Sequence, residues 1–293
     1  MVAGALTEPV LITGCSSGIG RAAAASLRGA GLRVYATARR AETLADLAAR
    51  GIATLPLDVT DETSMTEAVA AIEADAGAVG TLINNAGYGL YGPVEQVPMA
   101  EIRRQFETNF FGLVRLTQLV LPGMRRRHGG RILNVSSMGG RATLPGGAFY
   151  HASKYAVEAF SDALRMEVAQ FGIEVVLIEP GPVQTPWNDV AAGSLGDAAG
   201  SLGDAASESD ADPYAAYKAA VGVSFTRAAS GLMSRLGSDA EDIARVITRA
   251  VTARRPRTRY LINPVARSVV TMNRLLPGRA YDAIIRRQYG LPA

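Results

Sequence analysis

The chain has one cysteine, Cys15, so it forms no internal disulfide, and a reducing compartment is compatible with it. It has only two histidines, His128 and His151, neither at metal-ligand spacing from another ligand type, which predicts packing or solvated side chains and no metal centre. No run approaches about 18 uninterrupted apolar residues, and the opening residues lack the basic start and apolar stretch of a signal peptide. Neither an integral membrane segment nor a leader is expected, and the default location is cytoplasmic. Charge of one sign is also scarce: 30 basic residues face 27 acidic ones, leaving +3, so no strong field for nucleic acid is implied. The local clusters Arg125–Arg127, Arg254–Arg259 and Arg286–Arg287 read as helix ends or surface.

What remains is a chain of 293 residues, 48% apolar, enough for a large core. Pro9 to Thr13 is an apolar run that reads as a buried strand, followed by Gly14, Cys15, Ser16, Ser17, Gly18, Ile19 and Gly20 and then an alanine-rich helix. Three glycines between a strand and a helix permit a tight turn, close approach to a pyrophosphate and close helix packing, while the helix N-terminus attracts phosphate. A second strand ends in Ala38-Arg39-Arg40, about 20 residues further on, where such folds read the adenosine ribose. An acid there would pair with the 2′-hydroxyl of NAD. Arg39 suits a 2′-phosphate instead, so the expected cofactor is NADP(H).

Strand and helix go on alternating. Ile52–Leu57 leads to Asp58 and Val59, Thr81–Asn84 leads to Asn85, Ala86 and Gly87, Arg131–Val135 leads to Ser136 and Ser137, and Ile173–Ile178 leads to Pro180, Gly181, Val183 and Thr185. This rhythm predicts an α/β, doubly wound parallel sheet of about seven strands with helices on both faces, as one domain over 1–293. Asp58 falls at the carboxyl end of a strand, the ligand edge of such a sheet. A long helix expected over Met99–Arg127 contains Asn109, which needs either a solvent face or a task. Tyr150 and Lys154 stand four residues apart on another helix, hence on one face, where a cation lowers a phenol's pKa toward the range of an acid/base catalyst. Residues 189–212, with Gly-Ser-Leu-Gly-Asp-Ala-Ala twice in tandem, predict a loop with little to bury. Together with the aromatic and aliphatic residues Tyr214 to Met233, it is expected to form a substrate-binding lid over 188–236. A helical tail is expected over 264–293.

Taken together, T-G-x-x-x-G-x-G at Thr13–Gly20, Asp58-Val59, N-N-A-G at Asn84–Gly87, Asn109, Ser137, Y-x-x-x-K at Tyr150–Lys154 and P-G at Pro180-Gly181 with Thr185 resemble the short-chain dehydrogenase/reductase family. Within it, Thr13–Gly20, Val34–Arg39 and Glu179–Val183 look most like the NADP-linked 17β-hydroxysteroid and retinol dehydrogenases. The resemblance implies a Rossmann-type fold and an oxidoreductase interconverting carbonyl and alcohol. It implies that Tyr150 transfers the proton, Lys154 holds the nicotinamide ribose and depresses the Tyr150 pKa, Ser137 holds the substrate oxygen, and Asn109 positions a water behind Lys154. Asp58 and Val59 would meet adenine, Asn85, Ala86 and Gly87 the neighbouring ribose, and Val183 with Thr185 the carboxamide beside Pro180 and Gly181. Ser16 and Ser17 would assist Arg39. A homodimer or homotetramer paired through the Asn109 and Tyr150 helices is implied too. Trp187, Leu144 and the apolar residues of the lid lead to the expectation of a bulky hydrophobic carbonyl or alcohol substrate. Two other classes remain: a catalytically silent NADP-sensing protein, which commonly lacks the tyrosine or lysine, and a sugar-nucleotide epimerase, which has a different glycine spacing and a larger C-terminal domain.

Overall fold

The computed structural model describes residues 8–185, 187–197, 212–229 and 237–291. Seven strands pair in parallel in one sheet: β1 (Val10–Ile12), β2 (Val34–Ala38), β3 (Ala53–Pro56), β4 (Thr81–Asn84), β5 (Gly130–Val135), β6 (Ile173–Pro180) and β7 (Arg259–Ile262). Their spatial order is β3-β2-β1-β4-β5-β6-β7. From β1 the chain steps outward to β2 and β3, then returns to lay β4 on the other side of β1. The carboxyl ends of β1 and β4 therefore bound the crevice where an open α/β sheet takes its ligand.

Helices cover both faces, which is why β1, β2 and β4 are buried at every position and read as apolar runs rather than alternations. On one face, α1 (Gly18–Gly29) packs Leu27 against Ile12, Ile83 and Leu133. On the other, α3 (Glu62–Ala76), with Asp61 capping Ser64 N at 2.7 Å, packs Met65 and Ile72 toward Leu11, Leu82 and Ile132. Successive residues of β1 thus serve opposite layers, as the pleat requires. A short α2 (Ala45–Ala49) joins β2 to β3.

The helix expected over Met99–Arg127 is broken into α4 (Met99–Phe106), a π turn (Glu107–Phe111) and α5 (Gly112–Arg126). Leu116 and Val120 of α5 join the second layer, as does Leu164 of α6 (Ala148–Val168). Between the two strands at the heart of the sheet runs a buried amide contact. Asn84 Nδ2 donates to Asn134 Oδ1 at 2.9 Å, and Asn134 Nδ2 donates to Ser161 Oγ at 2.9 Å.

After β6 the expected loop from 189 is contradicted at its start: α7 (Trp187–Asp197) is helical, with Ala191 and Leu195 buried. Alanine's helix propensity and the four-residue spacing of Ala191 and Leu195 give this stretch an apolar stripe, which outweighs its two glycines. The second repeat copy, 200–206, lies outside the described residues. Then come α8 (Ala215–Ala229) and α9 (Ala240–Thr252), the latter with an Asp239/Asp242 capping box and with Ile243 and Ile247 in the first core. The tail is helical: α10 (Pro264–Leu275), capped by Asn263, and α11 (Gly278–Tyr289). Asn273 Nδ2 donates to Arg141 O at 2.9 Å and Tyr281 OH to Thr143 O at 3.0 Å, tying this tail to the loop after Ser137. Among the described residues no helix is long and apolar enough to cross a membrane.

Candidate active site

The carboxyl ends of β1 and β4 are sewn together by Thr13. Its Oγ1 accepts from the amides of Asn85 and Ala86, each at 3.0 Å, while Asn85 Nδ2 donates to Thr13 O at 2.8 Å. In the sequence Thr13 stands as a strand end and as the first residue of the glycine motif, with no role of its own assigned. Gly14 takes φ +72°, and a Cβ there would stand 2.9 Å from Ala86 Cα. Gly18 takes φ +54°, with Thr185 as its nearest side chain, so the loop after β6 reaches the glycine turn. At Gly20 a Cβ would lie 2.5 Å from Asn85 Nδ2. Ser17 stands at the N-cap of α1 in extended conformation without donating or accepting a cap bond, and α1 has no acid in its first turn. Free backbone donors, an uncommitted hydroxyl and no competing anion fit a bound pyrophosphate.

The other expected cofactor residues line the same edge. Arg39 directly follows β2 and is exposed, as are Ser16 and Ser17. Asp58 is half-buried, its Oδ1 accepting from Thr60 N at 2.9 Å, and Val59 is buried beside Gly112, whose missing side chain makes room for it. Gly181 abuts Asn263, and Val183 bridges to Ser238. Ile19 is half-buried against the first core rather than facing outward, which fits a packing role.

Tyr150, Lys154, Asn109 and Ser137 come from three elements. Tyr150 and Lys154 share one face of α6, with Lys154 Nζ 6.0 Å from the Tyr150 ring centre, and Ser137 follows β5. The π turn adds a residue to the helical circuit and Asn109 within it is buried. Its Nδ2 donates to Tyr88 O at 2.9 Å and Ser153 Oγ at 3.1 Å, while its Oδ1 accepts from Tyr88 N at 3.0 Å. The task required of a helical asparagine is thus a clamp on the 87–88 loop. A Cβ on Gly87 would meet Asn109 Oδ1 at 3.1 Å and Lys154 Nζ at 3.7 Å, so that loop lies beside the lysine.

One expectation fails in this geometry. Lys154 does not depress the Tyr150 pKa here. Burial raises the phenol to about 12, outweighing the lowering by its hydrogen bond with Ser137. Lys154 is itself desolvated to about 8, and its ammonium donates to Val135 O at 2.9 Å instead of facing the phenol. The cause is overhead: Trp187 of α7 lies 5.1 Å from the Tyr150 ring, and Tyr91 lies 6.0 Å from it. Tyr91, Ala191, Leu195 and Val221 are buried in this cluster, with Tyr217 and Tyr289 packed on it, and Tyr217 OH accepts from Gly146 N at 2.6 Å. Leu144 is packed into the neighbouring tail cluster. Tyr91 was missed in the sequence, and its signal was an aromatic residue in the glycine-rich stretch after Gly87.

His151 is a packing histidine as expected. It bridges Gly139 O at 3.0 Å and Leu144 N at 3.1 Å, and burial takes its pKa to about 4. Cys15 is buried, and its thiol is raised to about 12. Asp162 pairs with Arg259 Nη2 at 2.6 Å. Two further carboxylates lie deeper. Glu158, one turn beyond Lys154, meets Glu179 of β6 across Arg259, whose Nε is 3.2 Å and 3.0 Å from the two. Arg141 adds a contact to Glu179 at 3.3 Å. Burial and the neighbouring Glu179 raise Glu158 to about 7. Among the described residues no group of three or more His, Cys, Asp or Glu forms a metal site.

Residues 8–193 match the family model described as short chain dehydrogenase. YbbO, an uncharacterized oxidoreductase of Escherichia coli strain K12, is 33% identical over 282 residues, covering 96% of this chain and 95% of its own. An NADPH-dependent 3-dehydrocapnine reductase of Ornithobacterium rhinotracheale is 33% identical, covering 94% of each chain. A crystal structure of a short-chain dehydrogenase from Streptomyces avermitilis superposes with a TM-score of 0.75 at 33% identity, covering 97% of this chain and 96% of that one.

Proposed function

The chain belongs to the short-chain dehydrogenase/reductase family, and from that premise we propose that it is an NADP(H)-dependent oxidoreductase that interconverts a carbonyl and an alcohol, with Tyr150 as the acid/base. The observation that carries this is the meeting of Tyr150, Lys154, Ser137 and the Gly87 loop at the carboxyl edge of β4 and β5. Retention of both Tyr150 and Lys154 speaks against a silent cofactor sensor.

The nicotinamide would supply or accept the hydride. Gly14, Gly18 and Gly20 with the N-terminus of α1 would hold the pyrophosphate, Arg39 with Ser16 and Ser17 the 2′-phosphate, Asp58 and Val59 the adenine, Asn85 to Gly87 the ribose side, and Val183 and Thr185 the carboxamide. Ser137 holds the substrate oxygen by hydrogen bond, and Tyr150 gives that oxygen a proton in reduction or removes one in oxidation. Lys154 has a poor home in its present place, desolvated and bonded to one carbonyl. Turning toward a ribose hydroxyl would bring its charge to the phenol and lower the phenol's pKa from its buried value. Asn109 keeps the 87–88 loop in position for that turn.

The substrate side is the aromatic cluster of Tyr91, Trp187, Val221, Tyr217 and Tyr289, which fits a bulky hydrophobic ketone, aldehyde or alcohol. With Trp187 over Tyr150, the described parts of the expected lid, α7 and α8, would cover the site on a single domain and open to admit such a molecule; 198–211 and 230–236 lie outside the described residues. Exposed Phe111, Tyr155 and Met166 on the Asn109 and Tyr150 helices fit pairing with a second copy.

Loss of NADPH absorbance on addition of a graded panel of carbonyls is the test. Turnover with NADPH well above NADH, rising with substrate bulk, is expected. Binding of NADPH with no turnover on any carbonyl or alcohol, or a preference for NADH, overturns the reading.

A further inference from the structure

The outer faces of α10 and α11 have no part in the chemistry above. Of the chain's 30 basic and 27 acidic residues, residues 264–291 hold five arginines, Arg267, Arg274, Arg279, Arg286 and Arg287, against the single acid Asp282. The excess in this short span is larger than the +3 of the whole chain, so the remainder is close to neutral. All five arginines are exposed, and among the described residues Arg274, Arg279 and Arg287 have no ion-pair partner.

The inner faces are occupied: Ala266, Val270, Tyr281 and Ile285 are buried. Outward, Arg267, Thr271 and Arg274 follow one helical stripe, and Arg279, Ala283 and Arg286 follow another. The two helices meet at Arg274-Leu275-Leu276-Pro277-Gly278-Arg279, a corner where every residue but Leu276 is exposed. Leu275 is 74% exposed at this corner, and Ile284 on α11 is 44% exposed.

Arginine forks suit phosphate oxygens, but a nucleic-acid backbone gives a protruding leucine nothing to enter. A protein groove would take the leucine, yet it would need a matching set of acids. A bilayer bearing anionic headgroups takes both, the guanidinium groups at the phosphates and the apolar side chains just beneath. We propose that the α10–α11 corner docks the protein peripherally on an anionic phospholipid surface. The docked edge is contiguous with the aromatic wall, because Tyr289 of α11 packs on the cluster that holds Tyr150. The docking does not depend on the substrate assignment.

Co-sedimentation of the full-length protein with vesicles tests it. The protein should bind phosphatidylcholine vesicles that include phosphatidylglycerol, ignore pure phosphatidylcholine, and be released as salt approaches about 0.5 M, where screening is nearly complete. The pair Arg274→Glu and Arg279→Glu should lower partition at least about tenfold, with NADPH affinity and melting temperature unchanged. The pair Arg274→Lys and Arg279→Lys should keep most of the binding. Leu275→Ser should weaken partition several-fold while leaving the salt dependence alone, since it removes insertion but not charge. Equal binding to neutral vesicles, no binding to anionic ones, or full binding by the double glutamate variant would overturn the proposal. Equally tight binding to a short DNA duplex with the same loss in that variant would overturn it in favour of a general phosphate patch.

Discussion

On the β1–β4–β5 side of the crevice, polar side chains are tied to backbone from distant parts of the chain: Thr13 to Asn85, Asn109 to Tyr88, Lys154 to Val135. On the facing side, Trp187 of α7 lies 5.1 Å from the Tyr150 ring and 6.1 Å from Tyr91, and Val221 of α8 and Tyr289 of α11 join the same cluster mainly by apolar packing. Hydrogen bonds fix atoms to within tenths of an ångström, whereas apolar contacts fix volume and tolerate rearrangement. A catalyst that handles one invariant reaction on a variable molecule needs this division. Under the proposed function the tied wall would hold what every turnover repeats, and the untied wall would meet the substrate.

The sharpest way to break the contrast is to delete the proton from the tied wall. Tyr150→Phe should lower kcat/KM by about 10²–10⁴-fold while NADPH affinity, followed by fluorescence titration, stays near wild type, because the ring and its packing remain. Activity within a few-fold of wild type would mean that another group moves the proton. Next comes Arg39→Asp, which exchanges a phosphate partner for a hydroxyl partner at the same wall. The ratio of kcat/KM for NADPH over NADH should fall by about tenfold or more, equivalent to roughly 1.4 kcal/mol, and an unchanged ratio would remove Arg39 from cofactor recognition.

A change on the untied wall should act differently. Trp187→Ala opens the cover on Tyr150, so KM for large substrates should rise by about threefold to tenfold with kcat for small ones nearly constant. It should also relieve the burial that raises the phenol, shifting the alkaline limb of kcat/KM toward lower pH. If kcat for small carbonyls collapsed instead, the ring would belong to the tied wall.

The smallest effect concerns Glu158. Its folded pKa of about 7 exceeds the ordinary 4.5, so the folded protein keeps a proton that the unfolded chain releases, and stability falls as pH rises from about 4.5 through 7. His151, depressed to about 4, contributes in the opposite sense only below its ordinary 6.5. Melting temperature measured from pH 6.5 to 7.5 should therefore drop in wild type and flatten in Glu158→Gln. An identical slope in both would show that Glu158 is ionised throughout.

How much of this was legible in the sequence follows the same division. Gly14, Gly18, Gly20, Tyr150 and Lys154 are readable because their roles depend on local spacing along one turn or one helix face. The parallel sheet is readable because burial on both faces erases alternation. Less was visible where partners meet only in space. Nothing near Glu158 announces Glu179 and Arg259, which arrive from β6 and β7, although an acid within the apolar run Ile173–Pro180 was a clue. The π turn left no mark beyond Asn109 itself. The helix Trp187–Asp197 was hidden because its glycine and serine content resembles a loop, and its apolar stripe matters only once Tyr91 and Val221 stand opposite. The raised Tyr150 pKa was misjudged for the same reason: Lys154 is near in sequence, but Trp187, which helps bury the phenol, is not.

The buried amide contact between Asn84 and Asn134 also bears on how the chain reaches this state. These residues are register partners of β4 and β5, strands separated in sequence by three helical segments. A slip of one residue would turn every side chain of a strand to the wrong layer, which the core rejects at once. A slip of two keeps each layer apolar and would pass that check, yet it would take the donor from Asn134 Oδ1 in a dry interior, at a cost of about 1–3 kcal/mol. The contact therefore acts as a proofreader for the one misalignment that hydrophobicity cannot detect. What it protects is the level at which Gly87 and Ser137 emerge from adjoining strands.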